Sequence, residues 1–214
     1  MISSLFFDLD GTLCDTSQGI YGSLCYTARK FGVPPFSQKP CGRYIGPPLI
    51  KTLGEMVGAD RADEALALYR DHYLNEKGVF NSPPFDGMRE ALTTLKAMGK
   101  RLFVTTAKFE DTGRLLLGHH DLAGFFEKIY GSFPDGSRSH KAEVIRAALV
   151  ENNLSPDEVL MVGDHRFDME GAAQNGLKAI GVAWGYGEVA ELRATGASFI
   201  AQKPSDLPRL VEEL

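Results

Sequence analysis

The chain has 214 residues, 43% of them apolar and 24% charged, and a formal net charge of −5. That length carries a full hydrophobic core and leaves room for two domains. There is no Lys/Arg-dense run and no stretch of about 18 apolar residues, which argues against a nucleic-acid polymer or a membrane as partner.

The start, "MISSLFFDLD", has no basic region and no cleavage signal, so the expectation is a cytoplasmic protein that begins here. Cys14, Cys25 and Cys41 are odd in number and lack metal-like spacing. They read as small buried hydrophobes in a reducing compartment, with a reactive thiol at Cys14 as the alternative.

In chain order, "LFFDL" is a short apolar run bounded by Gly11, which predicts a buried strand. The pattern turns helical from Ser17 to Phe31, with Thr16 or Ser17 as cap. "GVPP" and "KPCGRYIGPPL" are Pro/Gly-rich and read as loops. "RADEALALYRDHYLNEKG" is a periodic amphipathic helix, and "NSPPFDG" is a linker. A βα rhythm follows: helix "MREALTTLKAMG", strand "KRLFVTTA", helix "EDTGRLLLGHHDL", strand "FEKIYGS", helix "HKAEVIRAALVENN". Then come strand "DEVLMVGD", helix "RFDMEGAAQNG", strand "LKAIGVAWG", short helix "EVAELRATG", short strand "SFIA" and final helix "SDLPRLVEEL".

Strands alternating with helices predict an α/β fold, a Rossmann-like parallel sheet with helices on both faces. The continuous apolar character of "LFVTT", "VLMVG" and "AIGVA" agrees, because strands covered on both faces do not alternate. Residues 16–81 carry no strand signal and read as a helical domain inserted after the first strand. Residues 1–15 and 82–214 form the core domain.

Ligands of open α/β sheets bind beyond the carboxyl ends of the strands. The first strand ends in Asp8-Leu9-Asp10-Gly11-Thr12, the next in Thr105-Thr106-Ala107-Lys108, and a later one in Gly163-Asp164, with Asp168 four residues on. Lys141 opens a helix. Asp8 and Asp10 oppose each other's ionisation unless a cation or shared proton intervenes. Hard carboxylate oxygens suit Mg²⁺, with Asp8 and Asp164 as ligands and Asp10 beside them. Asp8 could then attack phosphorus as a nucleophile. Thr106 and Lys141 would hold the phosphoryl oxygens. Asp10 could serve as general acid and then base. Gly11 permits a close turn, and Thr12 and Gly163 support the loops.

"DLDGTLCDT" resembles the first motif of the haloacid dehalogenase (HAD) superfamily, which implies Asp8 as nucleophile and Asp10 as acid/base. "LFVTTAK" resembles the second motif and implies phosphate contact at Thr106, with Ala107 where the family often has Asn. Lys141 in "SHKAEVIRAAL" matches the third motif. "VLMVGDHRFDMEGAAQNG" matches the fourth, implying Asp164 on Mg²⁺ and Asp168 supporting the site or orienting Lys141. The 16–81 insert resembles the small helical cap of the phosphoglycolate-phosphatase-like branch. True dehalogenases lack the second Asp of the first motif, so Asp10 implies phosphate chemistry.

The resemblance leads to an expected Mg²⁺-dependent phosphomonoesterase on a small metabolite such as phosphoglycolate, as monomer or homodimer. A 5′-nucleotidase and a phosphomutase are the alternatives within the branch, and a receiver-like phospho-acceptor switch the alternative outside it. His165 replaces a small hydroxyl residue and reads equally as a loop residue or a substrate contact. Arg43 and Gly46 of the "RYIGPP" loop read equally as connector or substrate contact. Trp184 and Tyr186 read as packing in preference to the rim of the site.

Overall fold

A computed structural model describes residues 1–34, 45, 49–76 and 78–214. Cys41, Arg43, Gly46, Pro47 and Pro48 lie outside the described residues. By internal contacts the chain divides into two compact units, Met1–Cys14 with Pro84–Leu214, and Asp15–Pro83.

The larger unit is an α/β fold built on one six-stranded sheet. Its strands are β1 (Ser4–Phe7), β2 (Arg101–Phe109), β3 (Lys128–Ser132), β4 (Val159–Gly163), β5 (Lys178–Val182) and β6 (Phe199–Ala201). The order is β3-β2-β1-β4-β5-β6 and every pairing is parallel. Helices α4 (Met88–Ala97), α5 (Glu110–His119), α6 (Lys141–Glu151), α7 (Arg166–Gln174), α8 (Val189–Ala194) and α9 (Leu207–Glu212) connect and flank the strands.

Consecutive residues Leu5, Phe6 and Phe7 are all fully buried, as are Leu102, Phe103 and Val104. Both faces of the central strands are therefore covered, which is why their sequences do not alternate. Phe103, Phe6, Met161 and Ala179 lie in register across β2, β1, β4 and β5. They join Val144, Ile145 and Ala148 of α6 and Met169 and Ala172 of α7 in one apolar cluster. Phe6 and Phe103 meet edge-to-face at 5.5 Å.

The chain order reverses at β1. β2 and β3 extend to one side of it and β4 to β6 to the other. This reversal opens a crevice beyond the carboxyl ends of β1 and β4. The two ends are tied where Asp8 N–H donates to the Val162 carbonyl at 2.9 Å.

The carboxyl end of β2 is irregular. Thr105 pairs with Tyr130 and Phe109 with Ser132, so β2 spends four steps where β3 spends two. Such a bulge re-aims side chains, here Thr106 to Lys108. Gly131 lies beneath it, and a Cβ there would meet the Lys108 carbonyl and the Glu110 amide at 2.5 Å. The Ser132 hydroxyl donates to the Ala107 carbonyl at 2.8 Å and braces the bulge.

The smaller unit contains α1 (Ser17–Lys30), α2 (Leu49–Val57) and α3 (Ala62–Asn75), with α3 touching both others. Helix α2 follows a stretch whose Pro and Gly content reads as loop, and that loop signal hides it. Its apolar Leu49, Leu53 and Met56 recur at helical spacing. Between α1 and α3, Ser23 Oγ lies 3.0 Å from His72 Nδ1 and the Tyr26 ring stacks on His72 at 4.1 Å.

Gly131→Ala is expected to lower stability by about 1–3 kcal/mol through overpacking of the bulge, read as a fall in the urea midpoint. Gly124→Ala is the control, since a Cβ there meets nothing within 4 Å, and it should stay within about 0.5 kcal/mol of the parent.

Candidate active site

The tight turn after β1 is built on one carbonyl. The N–H groups of Thr12, Leu13 and Cys14 all donate to Leu9 O. Gly11 takes φ +81°, and a Cβ on it would lie 2.3 Å from Asp164 Oδ2. Only glycine serves both the backbone conformation and the close approach.

Asp8 leaves the end of β1, Asp164 follows β4, and Asp168 lies in the first turn of α7. Carboxylate oxygens of these three lie within 4.8 Å of one another. Lys141, the first residue of α6, brings its ammonium to 2.7 Å from Asp8 Oδ1 and 2.8 Å from Asp168 Oδ1. The same ammonium donates to the Thr105 carbonyl at 2.9 Å. Asp164 and Asp168 are each 1% exposed, Lys141 8% and Asp8 9%.

Three buried carboxylates thus face one ammonium. With all of them ionised, the cluster carries two uncompensated negative charges. Burial, together with the charges of Asp168 and Asp10, pushes Asp8 up to about 7 against the pull of Lys141. Burial and the charges of Asp168 and Asp8 also hold Asp164 well above the usual carboxylate range. For Lys141 burial acts downward, but Asp168 and Asp8 outweigh it and the ammonium is held more firmly protonated than usual. An all-oxygen donor set with a deficit of two positive charges fits a hard divalent cation.

His165 sits at the start of α7. Its N–H donates to Asp168 Oδ2 at 3.0 Å, and Phe167 N–H reaches its Nδ1 at 3.5 Å. The residue is therefore an N-cap, a place normally taken by a short hydroxyl or amide side chain. This exchange ties one oxygen of Asp168 to the helix start and leaves the other toward Lys141. Burial lowers the His165 pKa, which favours the neutral ring that can accept from Phe167.

The carboxylate of Asp10 stands apart from the trio and pairs with Lys108, whose ammonium lies 2.8 Å from Oδ1 and 3.1 Å from Oδ2. Lys108 reaches it because the β2 bulge turns it there. The Lys108 N–H also donates to Thr106 Oγ1 at 3.2 Å. Thr106 is buried and Ala107 exposed. Nothing about an isolated lysine after "TTA" signals this pairing from sequence.

Trp184 and Tyr186 belong to the rim of this cluster and are not simple packing residues. The Trp184 indole N–H donates to Thr12 O at 3.0 Å, and Tyr186 N–H to Asp164 Oδ2 at 2.9 Å. The Thr12 hydroxyl donates to Asp164 Oδ1 at 2.8 Å. Cys14 is fully buried and Cys25 partly so.

A family model described as haloacid dehalogenase-like hydrolase matches residues 5–182. The chain belongs to the haloacid dehalogenase-like hydrolase family. Within that family it is similar to a 5′-nucleotidase of Pseudomonas aeruginosa, 37% identical over 89% of this chain and 87% of that one. It is 36% identical to the tyrosine-protein kinase PtkA of Mycobacterium tuberculosis, over 92% of this chain and 67% of the relative. A crystal structure from Clostridium acetobutylicum, described as a predicted phosphatase, superposes with TM-score 0.93 and 36% identity over the whole of both chains. The HAD-family chain is thus an enzyme, a phosphoric monoester hydrolase.

The charge balance makes the cluster sensitive to pH, to cations and to loss of its one ammonium. In chelator, the Asp8 carboxyl should titrate near pH 7 by carbon NMR, and saturating diamagnetic Mg²⁺ should move that titration down, since the cation favours the ionised form. Because the native pKa lies above the unfolded value, Asp8 stabilises the metal-free fold at low pH, and this stability is lost as pH rises through about 7. Removing the ammonium with Lys141→Met should cost about 3–5 kcal/mol at pH 8. The loss should shrink at pH 5, where the orphaned carboxylates take up protons, as urea denaturation at both pH values would register.

Proposed function

We propose that the protein is a Mg²⁺-dependent phosphomonoesterase acting on a small soluble phosphate ester through an aspartyl phosphate on Asp8. The observation that carries the reading is the buried cluster at the sheet's switch point, in which Asp8 shares two missing positive charges with Asp164 and Asp168. Asp8 and Asp164 would hold the cation through their carboxylates, and Asp10, whose carboxylate is paired with Lys108, would join them through its backbone carbonyl. Bound there, Mg²⁺ supplies the charge that lets an anionic ester approach the Asp8 carboxylate.

An Asp8 oxygen then bonds to phosphorus as the ester P–O bond breaks, and Asp10 delivers a proton to the departing oxygen. In the second half, Asp10 takes a proton from water as the water oxygen bonds to phosphorus and the Asp8–phosphorus bond breaks. Thr106, the backbone at Ala107 and the Lys141 ammonium would hold the phosphoryl oxygens as charge develops. Asp168, anchored by the His165 N–H, keeps Lys141 directed at Asp8. Gly11, Thr12 and Gly163 shape the walls. The inserted helical segment, residues 16–81, would act as a cap that selects the leaving group.

Phosphoryl chemistry is common to the named relatives, while the group carrying the phosphate differs between the nucleotidase and the tyrosine kinase. A nucleoside 5′-monophosphate and phosphoglycolate are the first candidates. The test is phosphate release from a panel of phosphorylated metabolites, with Mg²⁺ or with chelator. Turnover should need Mg²⁺ and no sugar bisphosphate activator, whose requirement would mark a mutase instead. Asp8→Asn should abolish turnover, and Asp10→Asn should slow it by about 10²–10⁴. Wild-type rates in Asp8→Asn would remove the nucleophile assignment.

A further inference from the structure

Beyond β5 the chain runs Ala183-Trp184-Gly185-Tyr186-Gly187 before α8, and this short strap closes around Asp164. The two oxygens of Asp164 have separate donors. Thr12 Oγ1 donates to Oδ1 at 2.8 Å and Tyr186 N–H to Oδ2 at 2.9 Å. Thr12 is itself held, because its carbonyl accepts the Trp184 indole N–H at 3.0 Å. The three bonds form a continuous path from strap to turn to carboxylate and back to the strap. They link segments 152 and 172 residues apart in the chain.

The fit leaves no room for side chains. A Cβ on Gly185 would lie 2.2 Å from Asp164 Cβ and 2.5 Å from Gly11 O, and one on Gly187 would lie 2.1 Å from Asp164 O. Glycines at 11, 185 and 187 therefore let two backbone segments, the turn after β1 and the strap, close on one aspartate. An ionised carboxylate offers about four lone-pair positions. One donor on each oxygen fixes the plane of the group and leaves a free lone pair on each.

We infer that the Trp184–Gly187 strap is a positioning element for cation binding: the Trp184 indole, acting through Thr12, and the Tyr186 N–H hold Asp164 in its ligating orientation before the cation arrives. This rests on the metal role given to Asp164 above. A ligand already oriented loses little freedom on binding, and outer partners of metal ligands are typically worth 10–100-fold in affinity. Trp184 touches neither substrate nor cation in this account and acts only through Thr12.

The experiment is a Mn²⁺ titration of substrate-free, metal-stripped protein followed by electron paramagnetic resonance. Trp184→Phe keeps the ring and deletes the donor, and it should weaken Mn²⁺ binding by about 10-fold or more while melting in chelator at the parental temperature. Thr12→Val should do the same and Thr12→Ser should restore parental affinity. Parental affinity in both Trp184→Phe and Thr12→Val, with binding lost in Asp164→Asn, overturns the strap inference and leaves the metal reading standing. Equal weakening in Thr12→Ser and Thr12→Val also overturns it, because the hydroxyl is then not the agent. Binding that survives Asp164→Asn overturns the metal reading and the inference together.

Discussion

Everything in the larger unit is arranged around one electrostatic imbalance: three aspartates and a single lysine, nearly removed from water, at the point where the parallel sheet reverses. Taking ions out of water costs several kcal/mol each, even after relaxation. A fold tolerates such a group when surrounding groups bind most of its oxygens and its nitrogen in place. Lys141 meets two carboxylates and a carbonyl. Asp164 meets a hydroxyl and an amide, and Asp168 meets the ammonium and the first amide of its own helix. The charge that is still missing is what a divalent cation and a phosphate ester, bound together, would set right.

The sheet makes this possible because its parallel strands all end on the same side. Asp8, Asp164 and the bulge at 106–108 leave from β1, β4 and β2, three neighbours in the sheet. Helices α6 and α7 touch each other and contribute Lys141 and Asp168 from their first turns. The rigid part of the site therefore rides on strand ends and helix starts, which hold geometry better than loops do. The pair of Asp10 and Lys108 sits on the turn and the bulge, the two irregular segments. In the proposed mechanism that is where a proton must be given and taken back.

Much of this was legible in the sequence, and the reasons are physical. Two acids at the end of an apolar run conflict with each other, and such a conflict demands a partner. Apolar strands without alternation announce a sheet covered on both faces, as the burial of Leu5, Phe6 and Phe7 confirms. Asp168 was visible because it lies four residues beyond Asp164, in a stretch that resembles the family's fourth motif. What stayed hidden depends on contacts that no local pattern encodes. Lys108 looks like any solvated lysine until a bulge turns it inward. Trp184 looks like an apolar ring, and its one donor finds a carbonyl at the far end of the chain. Helix α2 was masked by the Pro- and Gly-rich stretch before it, and His165 holds a cap position that composition assigns to other residue types.

The central question is where a divalent cation binds. Anomalous diffraction from a crystal of the intact chain soaked in Mn²⁺, without substrate, measures this directly. The account predicts one strong peak within coordination distance of the Asp8 and Asp164 carboxylates. A protein that takes up no ion there, or binds it only at surface acids while Lys141 alone serves the buried carboxylates, would contradict it.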